Sequence, residues 1–159
     1  AGVLAYLQFF YSPLTNELEF FGVDQRHESD IEGLGRIPSE QQLKSKKVPS
    51  FNVIGNSPLV LRESLLDEVY TMGENFVEAA KRVVSPGMNG PFCIEGVYDE
   101  NAKFTSFEFS ARIVAGTNIY MDGSPYYSLL FNESMSMGKR IAREIKIAEE
   151  KNQIEKIVT

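Results

Sequence analysis

The sequence predicts an α+β fold in which an antiparallel sheet packs against helices. Three observations support this prediction. Stretches with the apolar and aromatic content of strands lie beside one another with short turns between them, a helical repeat of apolar residues follows, and a second helical repeat ends the chain. Such a mixture of neighbouring strands and separate helices is typical of α+β layers. The 159 residues suffice for one domain with a hydrophobic core, so we treat 1–159 as a single domain.

The first predicted elements are two strands that form a hairpin. Val3 to Tyr11 is rich in apolar and aromatic residues, and Glu17 to Asp24 follows after the turn at Ser12 to Asn16. The polar segment from Gln25 to Ser50 is predicted to be a long loop, and such loops are usually functional or mobile. Phe51 to Ile54 is predicted as a short strand. Because a strand begins almost at the first residue, we expect the chain to be a piece of a longer protein.

Two helices are predicted, Ser64 to Val83 and Met135 to Glu150. Between them lie two predicted strands, Pro91 to Tyr98 and Lys103 to Ile113, and a loop from Val114 to Ser128. We expect the second helix to pack beside the first on one face of the sheet. Apolar residues at helical spacing support the first helix: Leu65, Val69, Met72, Phe76, Ala80 and Val83. The residues expected to point inward from the second are Met137, Ile141, Ile145 and Ala148.

Composition and charge exclude several classes of function. The hydrophobic content is 43% and the charged content 24%, as in ordinary globular proteins, and the net charge of −6 disfavours nucleic-acid binding. Cys93 is the only cysteine, which excludes an internal disulfide and fits a cytoplasmic protein. His27 is the only histidine, so a zinc site lacks ligands. The apolar stretch Gly2 to Leu7 is too short to span a membrane. We therefore expect small-molecule partners, with neither nucleic acid nor membrane.

Two glutamates in the second hairpin form the candidate chemical site. A turn at Asn101-Ala102 would place Glu95 directly opposite Glu108, where side chains are about 4.5–5.5 Å apart at Cβ and like charges repel. Mg²⁺ relieves such repulsion, since it takes carboxylate oxygens and bridges to phosphates. Ser110 would add an oxygen on the same face, and Arg112 could grip a phosphate. The alternative, two solvent-facing glutamates on an exposed strand, stays open from spacing alone.

The motif Glu108-Phe109-Ser110-Ala111-Arg112 resembles the Glu-x-Asn-x-Arg strand of ATP-grasp ligases, with Ser110 in the usual place of Asn. More of the chain resembles the archaeal formate-dependent 5-formaminoimidazole-4-carboxamide ribonucleotide synthetase family of purine biosynthesis. The segments that carry this resemblance are Phe10 to Pro13, Leu59 to Leu66, Pro86 to Met88, Gly90 to Cys93, Phe107 to Asn118 and Met135 to Gly138.

The resemblance implies a fold and an activity. The fold would be the C-terminal lobe of an ATP-grasp enzyme. The enzyme would be an ATP-dependent carbon–nitrogen ligase that joins formate to 5-aminoimidazole-4-carboxamide ribonucleotide through formyl phosphate, in IMP biosynthesis. Its cofactors would be ATP and Mg²⁺ or Mn²⁺, and it would form a homo-oligomer. No Gly-rich phosphate loop occurs in this chain, so we expect no turnover from this piece alone.

The resemblance also implies roles for individual residues. Glu95 and Glu108 would bind the metal. Glu28 would contact ATP, although it also fits a solvated loop charge. Asn56 would contact the imidazole ribonucleotide, although it also fits a turn. Around the transfer site, the catalytic residue would be Arg112 and the substrate-binding residues Thr117 and Asn118; Thr117 and Asn118 equally fit an ordinary loop.

Two features leave the activity open at this point. The family usually has an aromatic residue where this chain has His27, so we interpret His27 as a packing or phosphate-edge residue and not as a general base. Gln8 lies in a segment that is usually richer in Asn. One alternative is a paralogue that binds nucleotide and oligomerises without making formamide. Another is an ATP-grasp ligase that acts on a different amine.

Overall fold

The computed structural model describes residues 2–158 and contains one five-stranded sheet with strand order β3-β2-β1-β4-β5. Every neighbouring pair is antiparallel. The predicted α+β class and antiparallel sheet are therefore confirmed. Ala1 and Thr159, which end the predicted domain, lie outside the described residues. The strands are β1 Val3–Ser12, β2 Glu17–Glu28, β3 Val53–Leu59, β4 Gly90–Tyr98 and β5 Phe104–Ser110.

Helices and short 3₁₀ turns lie between β2 and β4 and after β5. The α-helices are α1 Ile31–Gly35, α2 Ser39–Ser45, α3 Leu66–Val83, α4 Pro125–Phe131 and α5 Met137–Glu150. The 3₁₀ turns are Glu63–Leu65, Ala115–Tyr120 and Ile154–Lys156.

Four predicted boundaries are wrong. The strand predicted from Lys103 to Ile113 ends at Ser110, so Arg112 lies beyond it. The segment predicted as a loop after Asp24 continues β2 to Glu28 and then contains α1 and α2. The predicted strand at Phe51 to Ile54 begins instead at Val53 and runs to Leu59, because it pairs with the extended β2 and, as an edge strand, tolerates Pro58. The predicted loop after Val114 holds the Ala115–Tyr120 turn and α4, whose N-cap Ser124 accepts a hydrogen bond from the backbone N–H of Tyr127.

One face of the sheet packs on α3 and forms the main hydrophobic core. Phe9 stacks on Phe92 with ring centroids 5.0 Å apart, and both lie in one cluster with Val69 and Val77 of α3. Gly73 lets the helix approach closely, because a Cβ there would lie 2.8 Å from the Phe9 ring. The predicted helical face of α3 is therefore the one that meets the sheet, except at Val83, which is 80% exposed at the C-terminal end of the helix.

The C-terminal helix packs on the opposite face, so its predicted place beside α3 is wrong. Phe10 points away from its neighbour Phe9, as alternation along a strand requires, and clusters with Met137 and Ile141 of α5. The predicted inward position of Ile145 is also wrong, since this residue is 49% exposed. Arg140 is buried instead, and its guanidinium lies 4.2 Å from the Phe10 ring centroid.

A buried ionic network fixes α5 on this face. The guanidinium of Arg140 pairs with Glu19 of β2 at 2.7 Å and with Glu144 at 2.8 Å. The Ser12 hydroxyl donates to Glu144 at 2.6 Å, and the Tyr127 hydroxyl donates to Glu19 at 2.7 Å. Helices α4 and α5 thus cover one end of this face of the sheet, and the other end carries the candidate site.

Candidate functional site

A row of polar residues crosses the sheet on the face that carries α4 and α5. In the strand register, Glu108 faces Glu95, Glu95 faces Tyr6, and Tyr6 faces Asp24. The predicted direct pairing of Glu95 with Glu108 is therefore confirmed. Directly opposed residues of an antiparallel pair project to the same side of the sheet, so the two carboxylates share one surface.

The turn of this hairpin differs from the predicted two-residue turn. Asp99 and Lys103 close it through a backbone hydrogen bond of 3.0 Å, with Ala102 in the left-handed conformation at φ 59°. A bulge next to Gly96 then shifts the register by one residue and leaves Phe107 without a direct partner. The bulge restores the pairing that the simpler turn would have given.

A cleft of about 440 Å³ lies over this surface. It brings together three of the predicted site residues, namely the ATP candidate Glu28 and the metal candidates Glu95 and Glu108. Its full lining among the described residues is Leu4, Tyr6, Arg26, Glu28, Ile31, Phe51, Glu95, Phe107 and Glu108. Phe107 and Glu108 also line a second cleft on the α3 side, so they lie on the sheet edge between the two clefts.

Sequence reasoning missed Arg26. Among the described residues that line the cleft, it is the only basic one. Its two terminal nitrogens donate to the two carboxylate oxygens of Glu95 at 3.0 and 3.2 Å, and its Cζ lies 3.8 Å from the Tyr6 ring centroid. Burial, only partly offset by Arg26, raises the pKa of Tyr6 to about 12. The cation that the facing glutamates require is therefore supplied, in this structure, by the protein itself.

The signal that could have found Arg26 was the alternation along β2. Asp24, Arg26 and Glu28 are two residues apart, and a strand places such residues on one face. Ending the predicted strand at Asp24 hid this pattern.

Asp24 forms the second polar centre, next to the cleft. It is fully buried and accepts hydrogen bonds from the Asn56 amide at 2.6 Å and from the Gln8 amide. Burial raises the pKa of its carboxyl above the ordinary value, against the lowering effect of those two hydrogen bonds. Gly116 packs directly on it, since a Cβ at that position would overlap the carboxyl. Asn56 is thus held by Asp24, with its amide nitrogen turned inward.

The remaining candidates are not among the described residues that line the cleft. Arg112 is exposed and donates to the carbonyl of Ile113 at 3.0 Å. Thr117 is buried and its hydroxyl donates to the carbonyl of Val114 at 2.8 Å, whereas Asn118 is exposed. Their roles at a transfer site stay predictions. His27 lies between Glu32 and Ser57, each 2.9 Å from one ring nitrogen, and its side chain is 44% exposed. Its role as a packing or phosphate-edge residue stays a prediction.

The donor set of the hairpin fits a hard divalent cation. Glu95 and Glu108 offer carboxylate oxygens on one surface, and Ser110 donates to Glu95 at 3.1 Å, which holds its hydroxyl at the same place. Residues 2–158 contain no group of three or more His, Cys, Asp or Glu arranged for a metal ion. A pair is nevertheless the usual protein share of a magnesium site, because Mg²⁺ is commonly bound through one or two carboxylates and substrate phosphates. Within the same residues, no helix is both long and apolar enough to cross a membrane.

Known proteins resemble this chain over its whole length. It is 86% identical over 159 residues to the 5-formaminoimidazole-4-carboxamide-1-(beta)-D-ribofuranosyl 5'-monophosphate synthetase of Nitrosopumilus maritimus (strain SCM1), which covers all of this chain and 47% of the relative. The synthetase of the same name from Saccharolobus solfataricus is 50% identical over 158 residues, or 99% of this chain and 47% of the relative. This chain therefore spans about half the length of the relatives that it matches.

A solved structure supports the same relationship. The crystal structure of an IMP biosynthesis protein PurP from Thermococcus kodakaraensis matches with a TM-score of 0.82 and 37% identity, over all of this chain and 50% of that one. The expected resemblance and fold class are confirmed. A family model described as "Domain of unknown function (DUF1297)" matches residues 1–159, so the chain belongs to this family.

Proposed function

We propose that this chain is the C-terminal ATP-grasp domain of a longer enzyme that joins formate to 5-aminoimidazole-4-carboxamide ribonucleotide. Its synthetase relatives support this assignment of substrate and pathway. The observation that carries the proposal is the direct pairing of Glu95 with Glu108 in a cleft that also holds Glu28. This arrangement suits a nucleotide whose phosphates are bound through a divalent cation.

In the proposed reaction, a formate oxygen attacks the γ-phosphorus of ATP, the bond to the bridging oxygen breaks, and ADP leaves. The 5-amino nitrogen of the imidazole ribonucleotide then attacks the carbon of formyl phosphate. Phosphate leaves with the bonding electron pair, and the nitrogen loses a proton to give the formamide. The protein's task in such a transfer is to position the reactants and neutralise charge.

Each proposed residue has a definite share of that task. Glu95 and Glu108 would hold Mg²⁺ or Mn²⁺, and the bound cation would neutralise the phosphate charge. Glu28, on the same cleft, would contact ATP. Arg112 would act on the transferring group, and Thr117 and Asn118 would line the substrate side; these three assignments follow from the family motif.

Asn56 would bind the imidazole ribonucleotide with a fixed orientation. The Asn56 amide nitrogen donates to Asp24, which leaves the amide oxygen free to accept a hydrogen bond. The substrate's carboxamide and amino groups both carry N–H donors. Asn56→Ala should therefore weaken the imidazole ribonucleotide more than ATP, by about 1–3 kcal/mol.

We also propose that the enzyme is cytoplasmic and forms a homo-oligomer, as its family resemblance implies. The single cysteine agrees with a reducing compartment.

Activity of the full-length protein tests the proposal. ADP and formamide should appear together only when formate and the imidazole ribonucleotide are both present. Glu108→Gln should reduce the rate on the order of 100-fold, whereas Glu100→Gln at the exposed turn of the same hairpin should not. The 159-residue piece should give no ADP. Nucleotide binding without any formamide would favour the inactive paralogue, and formylation of another amine would favour a different ligase.

A further inference from the structure

Arg26 occupies the atoms that a bound cation would need. Both oxygens of Glu95 accept from its guanidinium, and the Glu95 side chain is only 4% exposed. A divalent cation on Glu95 would therefore lie close to a guanidinium of the same charge sign. The two cations compete for one carboxylate, so the ion pair must open before Glu95 can serve as a metal ligand.

Arg26 also has room to move and a second place to bind. Its side chain is 20% exposed and lines the open cleft, whereas Glu95 is almost fully enclosed. The flat guanidinium rests on the Tyr6 ring, a contact that keeps it over the cleft without using its N–H donors. Those donors match phosphate oxygens as well as they match a carboxylate.

The charges of the cleft would allow Arg26 to change its partner from Glu95 to a phosphate. Among the described lining residues, Glu28, Glu95 and Glu108 are acidic and Arg26 alone is basic. A divalent cation on the glutamates makes the Arg26–Glu95 pair redundant. A nucleotide phosphate that arrives with the cation gives Arg26 a new anion.

We propose that Arg26 is a positioning residue that exchanges partners: it holds Glu95 before binding, and it moves to a nucleotide phosphate when Glu95 takes the divalent cation. This inference rests on the proposed function. It predicts that the cation alone binds weakly, because it must displace Arg26 without offering a replacement. The nucleotide then strengthens cation binding, because it supplies the phosphate that Arg26 needs.

Direct binding of Mn²⁺ to the full-length protein tests this exchange without any need for turnover. Free Mn²⁺ is followed by electron paramagnetic resonance, with and without a non-hydrolysable ATP analogue. Arg26→Gln should bind Mn²⁺ alone about tenfold more tightly than wild type. In the presence of Mn²⁺ it should bind the analogue about tenfold more weakly. The exposed Arg36→Gln serves as control and should change neither value.

The opposite directions of the two effects separate exchange from a purely structural role, which would weaken both. Unchanged or weaker binding of Mn²⁺ alone by Arg26→Gln would overturn the inference. If that variant does not fold, Arg26→Lys decides, since a lysine holds Glu95 less firmly and should still bind Mn²⁺ alone more tightly than wild type.

Glu95→Gln and Glu108→Gln distinguish the two proposals. If both abolish Mn²⁺ binding while Arg26→Gln has no effect, the metal site stands and the exchange fails. If neither alters Mn²⁺ binding, both proposals fail.

Discussion

Replacing Arg140 with Met should strongly destabilise the protein through the buried network under α5. Met keeps much of the aliphatic length but removes the cation, which leaves Glu19 and Glu144 enclosed without their partner. Both carboxylate side chains are less than a tenth exposed. Removing one partner of such a buried pair typically costs about 3–5 kcal/mol. The remaining hydroxyl donors, Ser12 and Tyr127, cannot neutralise two carboxylates.

Arg143 provides a matched control on the same helix. It pairs with Glu133 at 3.2 Å, but both side chains are 46% exposed. Exposed pairs contribute about 0–1 kcal/mol, so Arg143→Met should leave the free energy of unfolding nearly unchanged.

Urea unfolding of the full-length protein, followed by circular dichroism, measures both variants. Arg140→Met should lower the midpoint clearly, and amide hydrogen exchange should show the loss of protection in α5. Equal midpoints for the two variants would refute the argument that burial makes the Arg140 network stabilising.

Three further predictions concern the buried surroundings of the site. Burial raises the pKa of Asp24, so ionisation of this carboxyl opposes folding. Asp24→Asn should therefore stabilise the protein at neutral pH. Thermal melts should show the higher stability of Asp24→Asn disappear as the pH falls through the raised pKa of the folded state toward the ordinary 3.8. The buried oxygen of the Gln8 amide has no partner in the wild type. In Asp24→Asn the Gln8 amide can turn over, so that this oxygen accepts a hydrogen bond from the new Asn. Gly116→Ala should lower the free energy of unfolding by about 1–3 kcal/mol, because the added Cβ overlaps Asp24. Gly138→Ala, with nothing near its added Cβ, should leave stability unchanged. Thermal melts that show wild-type stability for Gly116→Ala would contradict this. Cys93 should resist thiol reagents until unfolding, because it is fully buried and burial raises its thiol pKa.

The parts of the fold that sequence predicts best are those whose pattern is local. The apolar repeat of α3 and the strand content of the second hairpin depend on neighbouring residues. Both are confirmed except at their ends, where Val83 is exposed and the second strand stops at Ser110. The pairing of Glu95 with Glu108 also emerges from sequence, although it depends on a bulge that no local signal indicated.

The parts that sequence misses depend on long-range partners. Arg140 and Glu144 point inward from α5 only because Glu19 and Ser12 meet them from distant strands, so a search for apolar residues chose Ile145 instead. Arg26 is polar, lies beyond the predicted end of its strand and acquires its role from Glu95, 69 residues away. Asn56 was assigned by resemblance, and its contact with Asp24 required the register of β3.

If the two facing glutamates only repelled each other, Glu95→Gln without metal would melt at the wild-type temperature or higher. The ion pair of Glu95 with Arg26 reverses that outcome. Glu95→Gln should now melt lower than wild type in the absence of metal, because it leaves the guanidinium partly buried and without its anion.

The central claim is that Glu95 and Glu108 together bind the cation. A titration of the full-length protein with Mn²⁺ and a non-hydrolysable ATP analogue tests it most directly. Each single Gln variant should lose most of the Mn²⁺ affinity, and the double variant should lose little more, because both side chains serve one ion site. Wild-type Mn²⁺ affinity in both single variants would contradict the account.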